Sequence, residues 1–312
     1  MFNIPEGIGG LAANRLAKTQ WSRAPKVSET VGGALFAIDF DRVRSTSPKI
    51  IETALKVDTR EAGRIARAAT ISTVRSYLDA LHYATATTGE LEIALERTPA
   101  PSGIEHVMFS LEPGRGAMLF SAQFLHFLWP VLSVLNAKQA HKFDVAILMR
   151  PTETGRAFMA KISTLGPSPV RVIDIDTPNA ILDMMTTLRR NGVLICFCDF
   201  CYEDFSVLLS DLFGAPAITA AGLPTILAKM GTPFLPFSSR FENGIPTTRL
   251  YTQCPAPHDG DTDDKSQFIA DQMNTSIEHL VRERPEDWLY WRGLGTRWAT
   301  ANALINASEI DG

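Results

Sequence analysis

NAILDMMTTLRRNGVLICFCDF, residues 179–200, changes its hydrophobic period in the middle. Ala180, Met184 and Leu188 recur at helical spacing, with Ile181 and Met185 beside them. After the Asn191-Gly192 break, Val193 to Cys198 are apolar without interruption. A helix followed by a short, wholly apolar strand is the pattern of a sheet buried on both faces.

The same alternation extends outward. Upstream, GAMLFSAQF (116–124) reads as a strand entered by a Gly114–Gly116 turn, FDVAILMR (143–150) as a second and VRVIDID (170–176) as a third. Downstream, AITAAGLPTILAKMG (217–231) reads as a helix rich in small residues and TPFLPFSS (232–239) as a strand. A further helix is expected over 271–284. PHDGDTDDKS (257–266) reads as a disordered tip from its charge and Gly content. Nearer the N-terminus, residues 59–84 are apolar at helical spacing, with Asp58-Thr59 able to cap and Glu61 in the first turn. The expected fold is α/β: a mixed, largely buried central sheet flanked by helices, with a helical N-terminal part. Residues 1–56 are expected to pack on the core as a segment, and 57–312 to form one compact unit.

Composition narrows the function classes. With 312 residues, 45% hydrophobic and 21% charged, the chain can bury a large core. A formal net charge of −4 argues against a nucleic-acid partner and against an anionic membrane surface. The uncharged stretch 116–137 holds Gln123, His126 and Pro130, and reads as strand plus buried helix rather than a membrane span. The first twenty residues lack an apolar core of signal-peptide length, so a cytoplasmic protein without stable membrane insertion is expected. Cys196, Cys198 and Cys201 crowd one strand, unlike a disulfide framework.

Three segments carry a resemblance. LFGAPAITAAGLPTILAKMGTPFLPF (212–237) is similar to a Phe-Gly-x-Pro-Ala-x-Thr turn followed by a small-residue helix and a strand. MNTSIEHLVRERPEDWLYWRGL (273–294) is similar to a C-terminal helix ending in Pro-Glu-x-Trp-x-Trp. GRGAMLFSAQFLHFLW (114–129) follows Gly-Arg-Gly, apolar strand and a histidine motif, and Met149-Arg150-Pro151 and Cys198-Asp199 fall between in order. Together they resemble the lauroyl/myristoyl acyltransferases of lipid A biosynthesis, within the lysophospholipid acyltransferase superfamily. The resemblance implies an acyltransferase-like sheet and acyl transfer from a thioester.

It also exposes a departure. In that family a histidine removes the acceptor's proton, supported by a carboxylate five residues later; here those places hold Gln123 and Leu128. Loss of a positioned base typically costs about 10²–10⁴-fold. Basic residues after the family's Asp motif are replaced by Tyr202-Glu203-Asp204-Phe205, a poor grip for a phosphorylated glycolipid.

Several residues remain candidates, each beside a plainer reading. His126, three residues past Gln123, fits a displaced base oriented by Asp199 or Glu203, or a histidine packed in an apolar wall. Cys201 fits an acyl-accepting nucleophile, although small apolar packing describes all three strand cysteines equally well. Zinc lacks its second ligand pair unless Cys254 or His258 supplies it, so no metal is expected. Arg150, at a strand end, fits a clamp for a carboxylate or a pantetheine phosphate, or a surface salt bridge. Asp199, ending an apolar strand, needs partners if buried. Thr219 fits either a turn residue or a substrate contact.

The function expected is a diverged soluble acyltransferase. It would take an acyl or aminoacyl group from an acyl carrier protein or acyl-CoA thioester, with phosphopantetheine or CoA arriving as co-substrate and no resident cofactor. The acceptor would be a small molecule bearing an amine or hydroxyl, in specialised metabolism. The alternative is an inactive acyltransferase-like binding or scaffold protein that partners another biosynthetic enzyme.

Overall fold

The computed structural model describes residues 24–37, 47–125, 129–150, 159–165, 170–199, 201, 206–242 and 245–310. Helices α1 (Ala24–Ala37), α2 (Pro48–Leu55), α3 (Thr59–Thr85), α4 (Thr88–Arg97) and α5 (Ile104–Leu111) precede the first strand. Then follow β1 (Ala117–Ser121), α6 (Trp129–His141), β2 (Val145–Met149), β3 (Arg171–Asp174), α7 (Ala180–Arg189) and β4 (Val193–Phe197). The chain continues through β5 (Val207–Leu212), β6 (Ala215–Ala220), α8 (Gly222–Met230), β7 (Phe234–Glu242) and β8 (Ile245–Leu250). It closes with α9 (Thr262–Glu283) and α10 (Trp291–Ile310).

Six strands form one sheet in the order β3-β2-β4-β1-β7-β8, parallel except for the last, antiparallel pair. The runs 116–124, 143–150 and 193–198 read from sequence hold interior strands buried on both faces, whereas 170–176 holds the edge strand β3, in which only Ile173 is buried. Leu119, Ile147, Ile195 and Leu235 face a core with Leu95, Val107, Leu132 and Leu135 of α4–α6. Met118, Phe120, Leu194 and Phe234 face Met184, Leu188, Leu227 and Met273 of α7–α9. Each such side chain contributes roughly 1.5–3 kcal/mol by leaving water. The start of β1 lies close to the start of β4 because Gly116 (φ +67°) has no side chain: a Cβ there would meet Gly192 O at 2.8 Å.

A third apolar cluster covers the carboxyl ends of β1 and β4. It joins Ala122 and Phe124 to Ile51 and Ala54 of α2, Ile65 and Ala66 of α3, and Trp288, Trp291 and Leu294. Helix α3 begins as its sequence suggests, with Asp58 accepting the Glu61 N–H at 2.8 Å. No helix among the described residues is long and apolar enough to cross a membrane.

Three local expectations are corrected. Residues 217–220, read as the start of a small-residue helix, are the second half of a hairpin, and the helix begins only at Gly222. The turn, Phe213-Gly214, has φ of 58° and 74°, the doubly left-handed pair that joins two strands with matching twist. Phe213 tolerates that backbone because its N–H bonds the Glu278 carboxylate and its ring packs against both Trp288 and Trp291. The charged 262–266 stretch opens α9, because Asp261 accepts the N–H groups of Asp263 and Asp264. Trp291 begins α10 instead of ending a C-terminal helix, since Pro285 breaks the chain after α9.

Candidate functional site

β1 and β4 run in parallel and finish together, Ser121 opposite Phe197, so residues 122–125 and 198–199 leave the sheet side by side. Carboxyl ends of adjacent parallel strands are where α/β folds place their ligands. The Cys198 N–H donates to Ser121 O at 2.9 Å, and one residue on, the Gln123 N–H donates to Asp199 Oδ2 at 2.8 Å. The Trp288 indole N–H donates to the same oxygen at 2.8 Å. Segment 287–289 also runs antiparallel to 123–125: Leu289 N–H to Gln123 O is 2.9 Å and Leu125 N–H to Asp287 O is 2.7 Å. Asp199 thus ties three segments into one knot.

This carboxylate has no exposed surface, and among the described residues its Oδ1 has no hydrogen-bond partner. Burial raises its pKa above the ordinary carboxylate value. The Gln123, Trp288 and own-residue N–H groups pull the other way, as does the Arg297 charge.

Arg297 is itself buried, 2% exposed, and burial lowers its pKa. Its fork donates to Ile218 O at 2.7 Å, Thr219 Oγ1 at 2.9 Å, Asn274 Oδ1 at 3.3 Å and Asp199 O at 3.3 Å. Asn274 in turn donates to Ser210 Oγ and Thr219 Oγ1. A buried polar network of this kind is stable only when its members are satisfied together.

The sequence candidates separate accordingly. Asp199 and Gln123 are brought together, through the Gln123 backbone; the Gln123 residue is half-buried. Thr219 is 4% exposed and holds Arg297 and Asn274. Arg150, just past β2, is engaged by Asp176, with Nε at 2.8 Å and Nη2 at 2.6 Å from Oδ1. Cys201 is half-buried and close enough to Arg297 to oppose the lowering of its pKa. Cys196 is core, its Sγ 3.3 Å from that of Cys198, and that contact, then burial, pushes the Cys198 thiol up. His126, Leu128 and Glu203 lie outside the described residues.

Sequence reading takes Trp288 for packing and capping and passes over Asn274 and Arg297. A signal exists for the last two. Asn274 interrupts the apolar stripe Ile269, Ala270, Met273, Ile277, Leu280 and Val281; Arg297 falls between Leu294 and Ala301, both fully buried. A polar residue on the buried stripe of a helix needs a partner. It also passed over the ion pair Arg75–Asp79 (2.8 Å), 11% and 3% exposed, one turn before Tyr83 on α3. Burial, then Asp79, pushes the Tyr83 hydroxyl well above its ordinary pKa.

Sheet order, carboxyl-end site and flanking helices define an α/β protein built around one buried carboxylate. Residues 49–299 match the family model of the bacterial lipid A biosynthesis acyltransferases, and the chain belongs to that family. No curated protein matches the chain. The match supports acyl transfer as the general function.

Proposed function

We propose that the chain is a diverged acyltransferase that moves an acyl or aminoacyl group from a carrier-protein or CoA thioester to a small acceptor, an amine more readily than a hydroxyl. The observation supporting this is that the end of β1 remains fixed against a buried carboxylate while the residue carried there is Gln123. An amide has no useful basicity, but its N–H can donate to the oxygen of a thioester carbonyl as charge develops there. An unprotonated amine attacks without prior loss of a proton, so the missing base matters less than for a hydroxyl. In this reading Asp199 positions residue 123 through its backbone N–H. Arg150 meets an anionic group of the donor, a role that requires it to release Asp176. His126, Cys201 and Glu203 are the further side chains to test as base, nucleophile and orienter.

A binding or scaffold role is the second reading, favoured by the same Gln123. One assay separates the two: thiol release and intact mass with a panel of acyl-CoA and acyl-carrier thioesters, with and without amines. Acceptor-dependent release, reduced in Gln123→Ala or His126→Ala, supports transfer. An acyl adduct lost in Cys201→Ala moves the chemistry to the thiol. Binding of thioesters without turnover across the panel leaves the scaffold reading.

A further inference from the structure

Away from the carboxylate, a cavity of about 630 Å³ opens between α5 and the β7–β8 ribbon. Its floor is fixed before any ligand arrives. Ser102 adds a parallel bridge to Arg249, donating its N–H to Thr248 O (2.9 Å) and accepting the Leu250 N–H (2.8 Å). Gly103 (φ +81°) then turns the chain into α5, and a Cβ there would run into Leu250 O. The cavity's charge comes from the ribbon. Arg240 pairs with Thr247 and Arg249 with Ser238, so the two arginines are diagonal neighbours on one face of the antiparallel pair. Both line the cavity, with His106 and Thr252; Glu105 is the one carboxylate among its described lining residues. The Arg249 guanidinium rests 5.0 Å from the centre of the Tyr251 ring, and among the described residues no carboxylate pairs with it. An oxyanion in the cavity would be attracted by the Arg249 charge. Guanidinium forks suit a phosphate better than a single-point anion.

We propose that this cavity is a second binding site, for a phosphate group, centred on Arg240 and Arg249. The inference does not depend on acyl transfer, because binding alone reads it out. The phosphate could belong to a phosphopantetheine-bearing or nucleotide-bearing molecule, or be free phosphate, and the test distinguishes them.

The experiment is calorimetric titration of the full chain with inorganic phosphate, CoA and pantetheine, which has no phosphate. Wild type is compared with Arg249→Gln and the Arg240→Gln/Arg249→Gln pair, with thermal unfolding showing that the variants fold. Expected is binding of CoA, weakened about tenfold by Arg249→Gln and further by the pair, as loss of a charge-assisted bond implies. Pantetheine should bind equally to all three proteins or to none. If inorganic phosphate binds as tightly as CoA and with the same variant dependence, the site takes free phosphate. Absence of binding by both phosphate ligands at millimolar concentration, or unchanged binding in the folded pair variant, overturns the proposal.

Discussion

Replacing Trp288 by Phe tests the carboxylate knot most directly. Trp288 is fully buried, packed against Phe213 and Trp291, and its indole N–H lies 2.8 Å from Asp199 Oδ2. A phenyl ring keeps most of the packing and removes the donor. The lost hydrogen bond to a charged group is worth roughly 1.5–3 kcal/mol. The buried ring atoms removed with it add about 1–2 kcal/mol. The expected destabilisation near neutral pH is therefore about 2.5–5 kcal/mol, read by urea unfolding with far-UV circular dichroism. Its pH dependence carries the sharper information. The indole favours the charged form of Asp199, so its removal raises a folded-state pKa that burial has already raised above 3.8. The folded variant then holds its proton over a wider range than wild type, and loses stability relative to wild type as pH climbs through that range. The penalty should therefore shrink as pH falls from neutral to below the ordinary value of 3.8, where Asp199 is protonated in either protein. A penalty constant over that interval would show that the indole does not bond a titrating carboxylate, and the account of the knot would fail.

Asp199→Asn should remove a pH slope of known sign. Because the folded-state pKa is raised, wild-type stability is complete below the ordinary value of 3.8 and declines as pH rises through the folded value, so wild type minus variant should fall with pH in urea titrations. A difference that rises with pH contradicts the raised pKa. Arg297→Met leaves Asn274 Oδ1 and the Ile218 and Asp199 carbonyl oxygens without this donor, and should cost about 3–5 kcal/mol in urea unfolding; a cost below about 1 kcal/mol would mean the network is not coupled. Gly116→Ala places a Cβ against three backbone atoms at 2.8 Å in a left-handed conformation, and should lower stability by at least roughly 1–3 kcal/mol, checked by thermal unfolding.

What could be read in advance follows the physics of each segment. Interior strands of a parallel sheet are apolar throughout, so 117–121, 145–149 and 193–197 stand out without any partner being known. The β5–β6 hairpin does not. Ala215–Ala220 has the small-residue composition of a helix, and its strand state is decided by the left-handed Phe213-Gly214 pair, itself stabilised by Glu278 some sixty-five residues away. β8 stayed unread for a similar reason, since an edge strand containing Pro246 and Arg249 lacks the doubly buried pattern. For the site, position along a strand was enough to single out Asp199. Its partners were not legible, because Trp288 and Arg297 come from segments separated from it by eighty-nine and ninety-eight positions.

The contacts of Asp199 restrict what it can contribute to chemistry. A carboxylate that supports a catalytic base must share a hydrogen bond with that base, so that it gains when the base takes a proton. Here the bonded oxygen is occupied by a peptide N–H and an indole N–H, neither of which ionises at ordinary pH. Arg297 adds a charge that stays positive, directed at the backbone carbonyl. Through Oδ2 this environment fixes the carboxylate in place and couples it to residue 123 by the main chain, while Oδ1 has no partner among the described residues. Side chains that can meet a substrate at this end are then those left partly open, Gln123 and Cys201 among them. If transfer proceeds with only an amide at position 123, proton removal must come from the acceptor's own ionisation. Its rate should then track the fraction of acceptor amine that is unprotonated, rising with pH until that amine is neutral, and should shift when an acceptor of different basicity is supplied.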